Sequence, residues 1–466
     1  MCYHLARLHL GELSSPSRLL SDGDKMLALA RSSSFSSAIS LRKASFLETY
    51  VGVATLVILR ALQTSNAEDS LNVANDGWRS AARLLKDVIN AIARDDQQRK
   101  DTDSSHDGDS EVLYGRAGFL YALLLLRSAR NTLESHSVSE IISAVDELIS
   151  DASIEKVVES IIRRGSIGAG LHNRELTESE FRPALMWTWY GKRYLGAAHG
   201  IGTSLDLCTI LTHSFPRLVA GILHILLLCP PTIVAPHMSA ILQTIEWLIS
   251  LQDASGNWPS SARQSSRRAS EENELVQYVS APPVSFSTRL TRYRCLPINS
   301  SSWCHGAPGT IILLSTLLRR APSIEGSAQL SHTLRDKIVA SLHRGAALVH
   351  TRGFLRKGVG LCHGVAGSVF ALLTASDALS ADPTQSAVYF QQAVHLAHLA
   401  TKYAELTRSG EMRTPDSKWS LYEGTAGMCC AWGEIAQRMG DCGTSGACER
   451  RIGCGMPAFD DLQVEG

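Results

Sequence analysis

Trp303-Cys-His-Gly-Ala-Pro-Gly309 and Leu361-Cys-His-Gly-Val-Ala-Gly367 are two copies of one signature, their cysteines 58 residues apart. Each runs into an apolar stretch, Thr310 to Leu318 after the first and Ser368 to Leu373 after the second. The same Gly-x-x-Gly pattern stands at Gly115-Arg-Ala-Gly118 before Phe119 to Leu126, and at Gly424-Thr-Ala-Gly427 before Met428 to Trp432. Weaker copies start at Gly52, with Thr55 where the second glycine belongs, at Gly200, and at Gly256. Seven lead glycines at intervals of about 50 to 85 residues describe a repeat architecture. Between the signatures lie helical patterns: Ile241, Ile245, Leu248 and Ile249 share one helix face, as do Val145, Leu148 and Ile149. Period-two alternation is scarce. Each unit reads as two helices, with the glycine pair opening one of them. Glycine there permits close backbone approach, and exposed N–H groups at such a helix start would favour anions. Seven helix pairs can close into an all-α ring, an α/α toroid; an open solenoid is the alternative, disfavoured because no polar capping repeat is evident.

Composition narrows the function. The chain has 466 residues, 45 Lys and Arg against 45 Asp and Glu, so no net field draws it to nucleic acid. Its longest apolar run, Gly221 to Val234, is broken by His224 and Pro230-Pro231 and is too short to span a bilayer. Peripheral membrane association stays open. The first residues, Met1-Cys-Tyr-His4, lack a basic flank followed by an apolar stretch, so no signal peptide is read. Eleven cysteines without regular close spacing suit reduced thiols and a cytoplasmic location.

The duplicated Cys-His supplies the chemistry. Zinc takes thiolate and imidazole ligands in tetrahedral geometry. Equivalent loops of neighbouring repeats lie side by side on one rim of a ring, so Cys304, Cys362 and His363 can converge despite their separation. Three protein ligands leave one position open, the pattern of a catalytic site. Buried cysteines are common without any metal, but duplication at one point of a repeat argues against coincidence. His305 is either a fourth ligand or a polar group at a helix start, the latter favoured.

With Tyr114-Gly-Arg-Ala-Gly-Phe-Leu-Tyr-Ala-Leu, Tyr194-Leu-Gly-Ala-Ala-His-Gly, Gly360-Leu-Cys-His-Gly and Ser420-Leu-Tyr-Glu-Gly-Thr-Ala-Gly, these motifs resemble the lanthionine synthetase C-like family. The eukaryotic branch fits better than the bacterial cyclases. The resemblance implies an α/α toroid of seven inner and seven outer helices, with zinc on Cys304, Cys362 and His363. It implies an enzyme that activates a thiol, glutathione in eukaryotic members, for addition to dehydroalanine or dehydrobutyrine in peptides or proteins. By the same resemblance His199 is the acid that protonates the resulting enolate. Lys357, five residues before Cys362, and Arg413-Thr414-Pro415-Asp416 match the glutathione segments; Lys357 and Arg413 suit its carboxylates and Asp416 its ammonium. The alternative is a non-catalytic zinc- and glutathione-binding scaffold or redox sensor. An α/α-toroid prenyltransferase or glycosidase is disfavoured, since only Glu423 puts a carboxylate in the repeated signatures.

The resemblance covers residues 47–461, after a divergent segment 1–46 that lacks the family's opening and any equivalent of an arginine it contributes there. Two insertions interrupt it, 202–219 and 260–302. Removing Gly202 to Val219 would restore His-Gly-Ile-Ala-Gly-Ile-Leu. Both interruptions, the second most clearly over Tyr278 to Ser302, are consistent with in-frame retained introns.

Overall fold

A computed structural model of the chain describes residues 1–8, 15–31, 40–64, 77–98, 109–133, 140–188, 193–197, 219–259, 261–262, 302–304, 306–323, 330–415, 417–445 and 454–462. Among these the regular structure is helical, with one isolated antiparallel bridge between Tyr194 and Ser261. In chain order the α-helices are α1 (Cys2–Arg7), α2 (Pro16–Arg31), α3 (Tyr50–Thr64), α4 (Gly77–Gln98), α5 (Arg116–Asn131), α6 (Glu140–Leu148), α7 (Asp151–Asn173) and α8 (Val219–Leu227). There follow α9 (Pro231–Val234), α10 (Met238–Ser250), α11 (Ala307–Arg320), α12 (His332–Arg352), α13 (Val365–Ala378), α14 (Pro383–Ala400), α15 (Tyr403–Arg408) and α16 (Thr425–Ser445).

Two kinds of helix alternate, and their sequences say which is which. In α5 every residue from Arg116 to Leu126 is buried, and α8 and most of α13 are buried on all sides. Such helices belong to an inner layer covered all round. By contrast α4 buries a stripe, Trp78, Ala81, Ala82, Leu85, Val88, Ile89 and Ile92, and leaves its other face in water. The inner helices α3, α5, α8, α11, α13 and α16 contact one another in that order. Closure comes from α16 touching α1, α1 packing on α2, and α2 leaning on α3. The outer helices α4, α7, α12 and α14 pack behind α3, α5, α11 and α13, while α10 joins the outer layer beside α12. The chain is an α/α toroid.

Residues 454–462 run into its centre. Asp461 bonds Tyr121 Oη of α5 at 2.7 Å and Arg7 of α1 at 2.8 Å. Asp460 pairs with Arg319 of α11 at 3.0 Å, and the Phe459 ring stacks on His224 of α8 at 4.1 Å between centroids. Burial works against ionisation of Asp461, but the His4 and Arg7 partners prevail and hold its carboxyl below the usual range.

Outer helices are capped by side chains: Ser150, Ser331 and Asp382 accept from first-turn amides of α7, α12 and α14. Inner helices use their own rim loops. Arg116 and Ala117 donate to the carbonyls of Asp109 and Ser110, and Val365 and Ala366 to those of Gly358 and Val359, each seven residues back. These amides are therefore engaged, contrary to the expectation of free anion-binding N–H groups. The second glycine of each signature lets the loop come that close: a Cβ at Gly367 would lie 2.2 Å from the Leu361 carbonyl oxygen, six residues back.

This register corrects the first repeat and explains the third. A Cβ at Gly52 would lie 1.9 Å from the Phe46 carbonyl oxygen, again six residues back. Gly52 is thus the second glycine and Thr49 takes the lead position. In the third repeat Gly221 meets the Ala197 carbonyl oxygen, and Val219, Ala220 and Gly221 donate to Tyr194, Leu195 and Gly196. The intervals here are 24 and 25 residues where the other repeats have 6 and 7, an excess of 18 in both. Val219, at the end of the predicted interruption, opens α8. Gly256 opens no helix; it turns the chain after α10 at φ +91°, against the Arg344 carbonyl.

Two outcomes are expected. A chain lacking residues 201–218 should purify as a folded monomeric or oligomeric species with unchanged far-ultraviolet circular dichroism and an equal or higher melting temperature; aggregation would contradict the register. Gly367→Ala gains about 1 kcal/mol of helix propensity but drives a Cβ into the Leu361 carbonyl. Net destabilisation of about 1–3 kcal/mol should appear in urea unfolding.

Candidate metal and ligand site

The loop that precedes each inner helix places one residue just ahead of the lead glycine. Along the ring that position holds Glu48, Tyr114, His199, His305, His363 and Glu423. His199 and His305 lie outside the described residues. The preceding position holds Cys304 and Cys362 in adjacent repeats. Rim loops are tied sideways by backbone bonds: Ala197 N–H to the Trp303 carbonyl at 3.4 Å, Cys304 N–H to Cys362 at 3.2 Å, and Cys362 N–H to Tyr422 at 2.7 Å. A Cβ at Gly360 would strike the Glu423 carbonyl at 2.4 Å, so the Tyr422-Glu423 loop packs directly over the Cys362 loop.

These ties bring Cys304 Sγ, Cys362 Sγ and a His363 ring nitrogen within 4.8 Å of one another, a group that could hold a metal ion. Both cysteines are buried and His363 is half-buried. Ser302 Oγ lies 3.4 Å from Cys304 Sγ. Beneath them Trp303 is buried, its ring edge-on to Tyr422 at 5.2 Å and to Phe459 at 5.0 Å. The hydrogen bond between the two thiols and their burial push the Cys362 thiol well above its usual range, while Lys357 pulls the other way. Two adjacent buried thiols resist joint ionisation because two thiolates would repel in a poorly solvated place. A divalent cation removes that obstacle, and two thiolates with an imidazole are the donor set of a borderline metal. The residues fit such an ion.

The ligand segments found in sequence also meet. Arg413 N–H donates to the Arg356 carbonyl at 2.7 Å, and the Arg356 guanidinium reaches the carbonyls of Glu411 and Gly410 at 2.9 and 3.2 Å. Gly358, at φ +131°, faces the Pro415 ring, where a Cβ would come within 3.1 Å. Lys357 is half-buried, Arg413 and Thr414 are exposed and Pro415 is buried. The two cations thus stand on abutting loops, one of which continues into Cys362. Asp416 lies outside the described residues.

Tyr114 was not singled out by the sequence argument, and its place just before Gly115 is the signal that finds it. Burial pushes its phenol above the usual range, aided by Glu48, Glu111, Glu423 and the Cys362 thiol. Those groups stand on the rim loops around it, and the phenol stays a neutral hydroxyl. Trp419, in the loop below Glu423, is 80% exposed.

Among the described residues no helix is long and apolar enough to cross a membrane. The model of the family "Lanthionine synthetase C-like protein" matches residues 51–211 and 219–438. The chain is 27% identical over 317 residues to "Glutathione S-transferase LANCL1" of Danio rerio, covering 68% of this chain and 56% of that protein. It is 26% identical over 329 residues to "LanC-like protein GCL1" of Arabidopsis thaliana, covering 70% and 54%. The chain thus spans about half the length of the curated relatives it matches. Among solved structures, "Nisin cyclase" aligns over 90% of this chain and 94% of its own, at 11% identity and a TM-score of 0.37. On the match that spans most of its length, the chain belongs to the lanthionine synthetase C-like family.

Proposed function

We propose that this chain is a zinc-dependent, glutathione-binding enzyme that adds a thiol to dehydroalanine or dehydrobutyrine in peptides or proteins. The observation that carries the reading is the convergence of Cys304, Cys362 and His363 within 4.8 Å, beside abutting loops that carry Lys357 and Arg413. Its family, and a relative named as a glutathione S-transferase, support the thiol substrate.

Cys304, Cys362 and His363 would hold the zinc, which when bound keeps a thiol deprotonated at neutral pH. The rest falls to the chain. Lys357 and Arg413 hold the two glutathione carboxylates, with Thr414 and Pro415 shaping the loop between them, and Asp416 takes the ammonium. They point the tripeptide's sulfur toward the cysteine loops, which makes the addition effectively intramolecular. The sulfur lone pair forms the new C–S bond at the β-carbon, and the alkene electrons move to the carbonyl oxygen as an enolate. His199 delivers the proton to the α-carbon. The Tyr114 hydroxyl, held neutral by burial, is a candidate donor to the enolate oxygen. A cytoplasmic location suits reduced thiols, and no disulfide joins the described cysteines.

The competing scaffold reading draws on the third repeat, where the chain is interrupted beside His199. Metal analysis and turnover separate the two. Purified protein should carry one zinc per chain, lost in Cys304→Ala/Cys362→Ala, and should add glutathione to a dehydroalanine peptide. Zinc with glutathione binding but no addition would establish the scaffold; no zinc in folded protein would overturn both. Lys357→Ala and Arg413→Ala should each raise the KM for glutathione about 10- to 100-fold, the range of a lost charge-assisted hydrogen bond, with zinc content unchanged.

A further inference from the structure

In the outer layer α12 and α14 lie side by side, and two histidines face each other across their seam. His350 Nε2 lies 3.3 Å from His395 Nδ1, with the rings 5.5 Å apart at 65°. Two ligand nitrogens on a tetrahedral divalent ion, each at about 2.0–2.1 Å, are separated by roughly 3.3–3.4 Å. The pair already stands at that separation. It is held by helices rather than loops: His343 and Tyr389 join the same two helices about two turns earlier.

The surroundings suit a cation. Burial and then the neighbouring His395 lower the pKa of His350, which favours the neutral imidazole that a metal needs. Gln392 sits on α14 between Tyr389 and His395, both of which meet α12. Its Oε1 is buried and has no hydrogen-bond partner among the described residues. None of these residues belongs to the cysteine site.

We propose that His350 and His395 form a second, surface metal site for a borderline divalent ion such as Zn2+, Ni2+ or Cu2+, clasping α12 to α14. The ion replaces the shared hydrogen between the two nitrogens, and water completes its coordination. Imidazole donors select these ions over Mg2+ and Ca2+. The clasp acts on the helices that feed the ligand loops, because α12 ends at Arg352, shortly before Lys357, and α14 leads through α15 toward Arg413. The site stands on its own, whatever chemistry occurs at the mouth.

Equilibrium dialysis tests it. Full-length chain, loaded with zinc and desalted, is titrated with further Zn2+ at pH 7.5 and with Mg2+ as competitor. One additional ion per chain is expected at micromolar free zinc, indifferent to excess Mg2+ and accompanied by a rise in melting temperature. His395→Ala, at an exposed position, and His350→Ala should each abolish the added ion and the rise while keeping the first zinc. Retention of the second ion in both variants, its displacement by Mg2+, or uptake only at millimolar zinc, an adventitious ion only, would each overturn the proposal.

Discussion

The approach of each rim loop to its own inner helix is the constraint on which the rest of the molecule depends. At Gly118, Gly221, Gly309, Gly367 and Gly427 a side chain would occupy the space of a loop carbonyl oxygen. Without that side chain, the first helical amides find their acceptors in the loop seven residues back, and a helix end buried within the ring is satisfied. The same closeness lets neighbouring loops exchange backbone hydrogen bonds. Ala197, Trp303, Cys304, Cys362 and Tyr422 become links in one chain around the rim. Cys304 and Cys362 are brought together because backbone holds their loops there.

A second constraint lies along the axis. A ring of apolar helices requires a filled centre; Phe459, Asp460 and Asp461 fill it and reach α1, α5, α8 and α11. Their carboxylates are buried, and each meets cationic or hydroxyl partners on several helices, so the charges are compensated where they stand. Buried pairs of this kind recur in the wall: Arg116 with Asp95 and Asp109, and Arg438 with Asp377 and Glu434. They specify which helices neighbour which, and the apolar inner faces supply the driving force.

The third repeat shows how separable loop length is from closure. Val219, Ala220 and Gly221 make the bonds that Arg116, Ala117 and Gly118 make in the second repeat, across 18 additional residues. Loop closure entropy grows only logarithmically with length, so the helix start keeps its register while the connection lengthens. The first repeat carries the opposite lesson. Gly52 looks like a lead glycine in sequence, yet it contacts the Phe46 carbonyl as the second glycine does elsewhere, and only the contact reveals the shift.

Residue types and their spacing pointed to the all-helical repeat, to the glycine-opened helices and to Cys304, Cys362 and His363 as a trio, which the fold brings together. Each is a local matter: which residues permit close backbone approach, which bury on every side, and which donate to a borderline metal. Tertiary structure decided what locality cannot reach. It set Lys357 and Arg413 on abutting loops, and it gathered Tyr114, Glu48, Glu423 and Cys362 from separate repeats. It also consumed the helix-start amides that the glycines seemed to expose, and brought His350 against His395 from different repeats. Those outcomes depend on which loops and helices become neighbours once the ring closes, and the periodicity of one helix carries no record of its neighbour's phase.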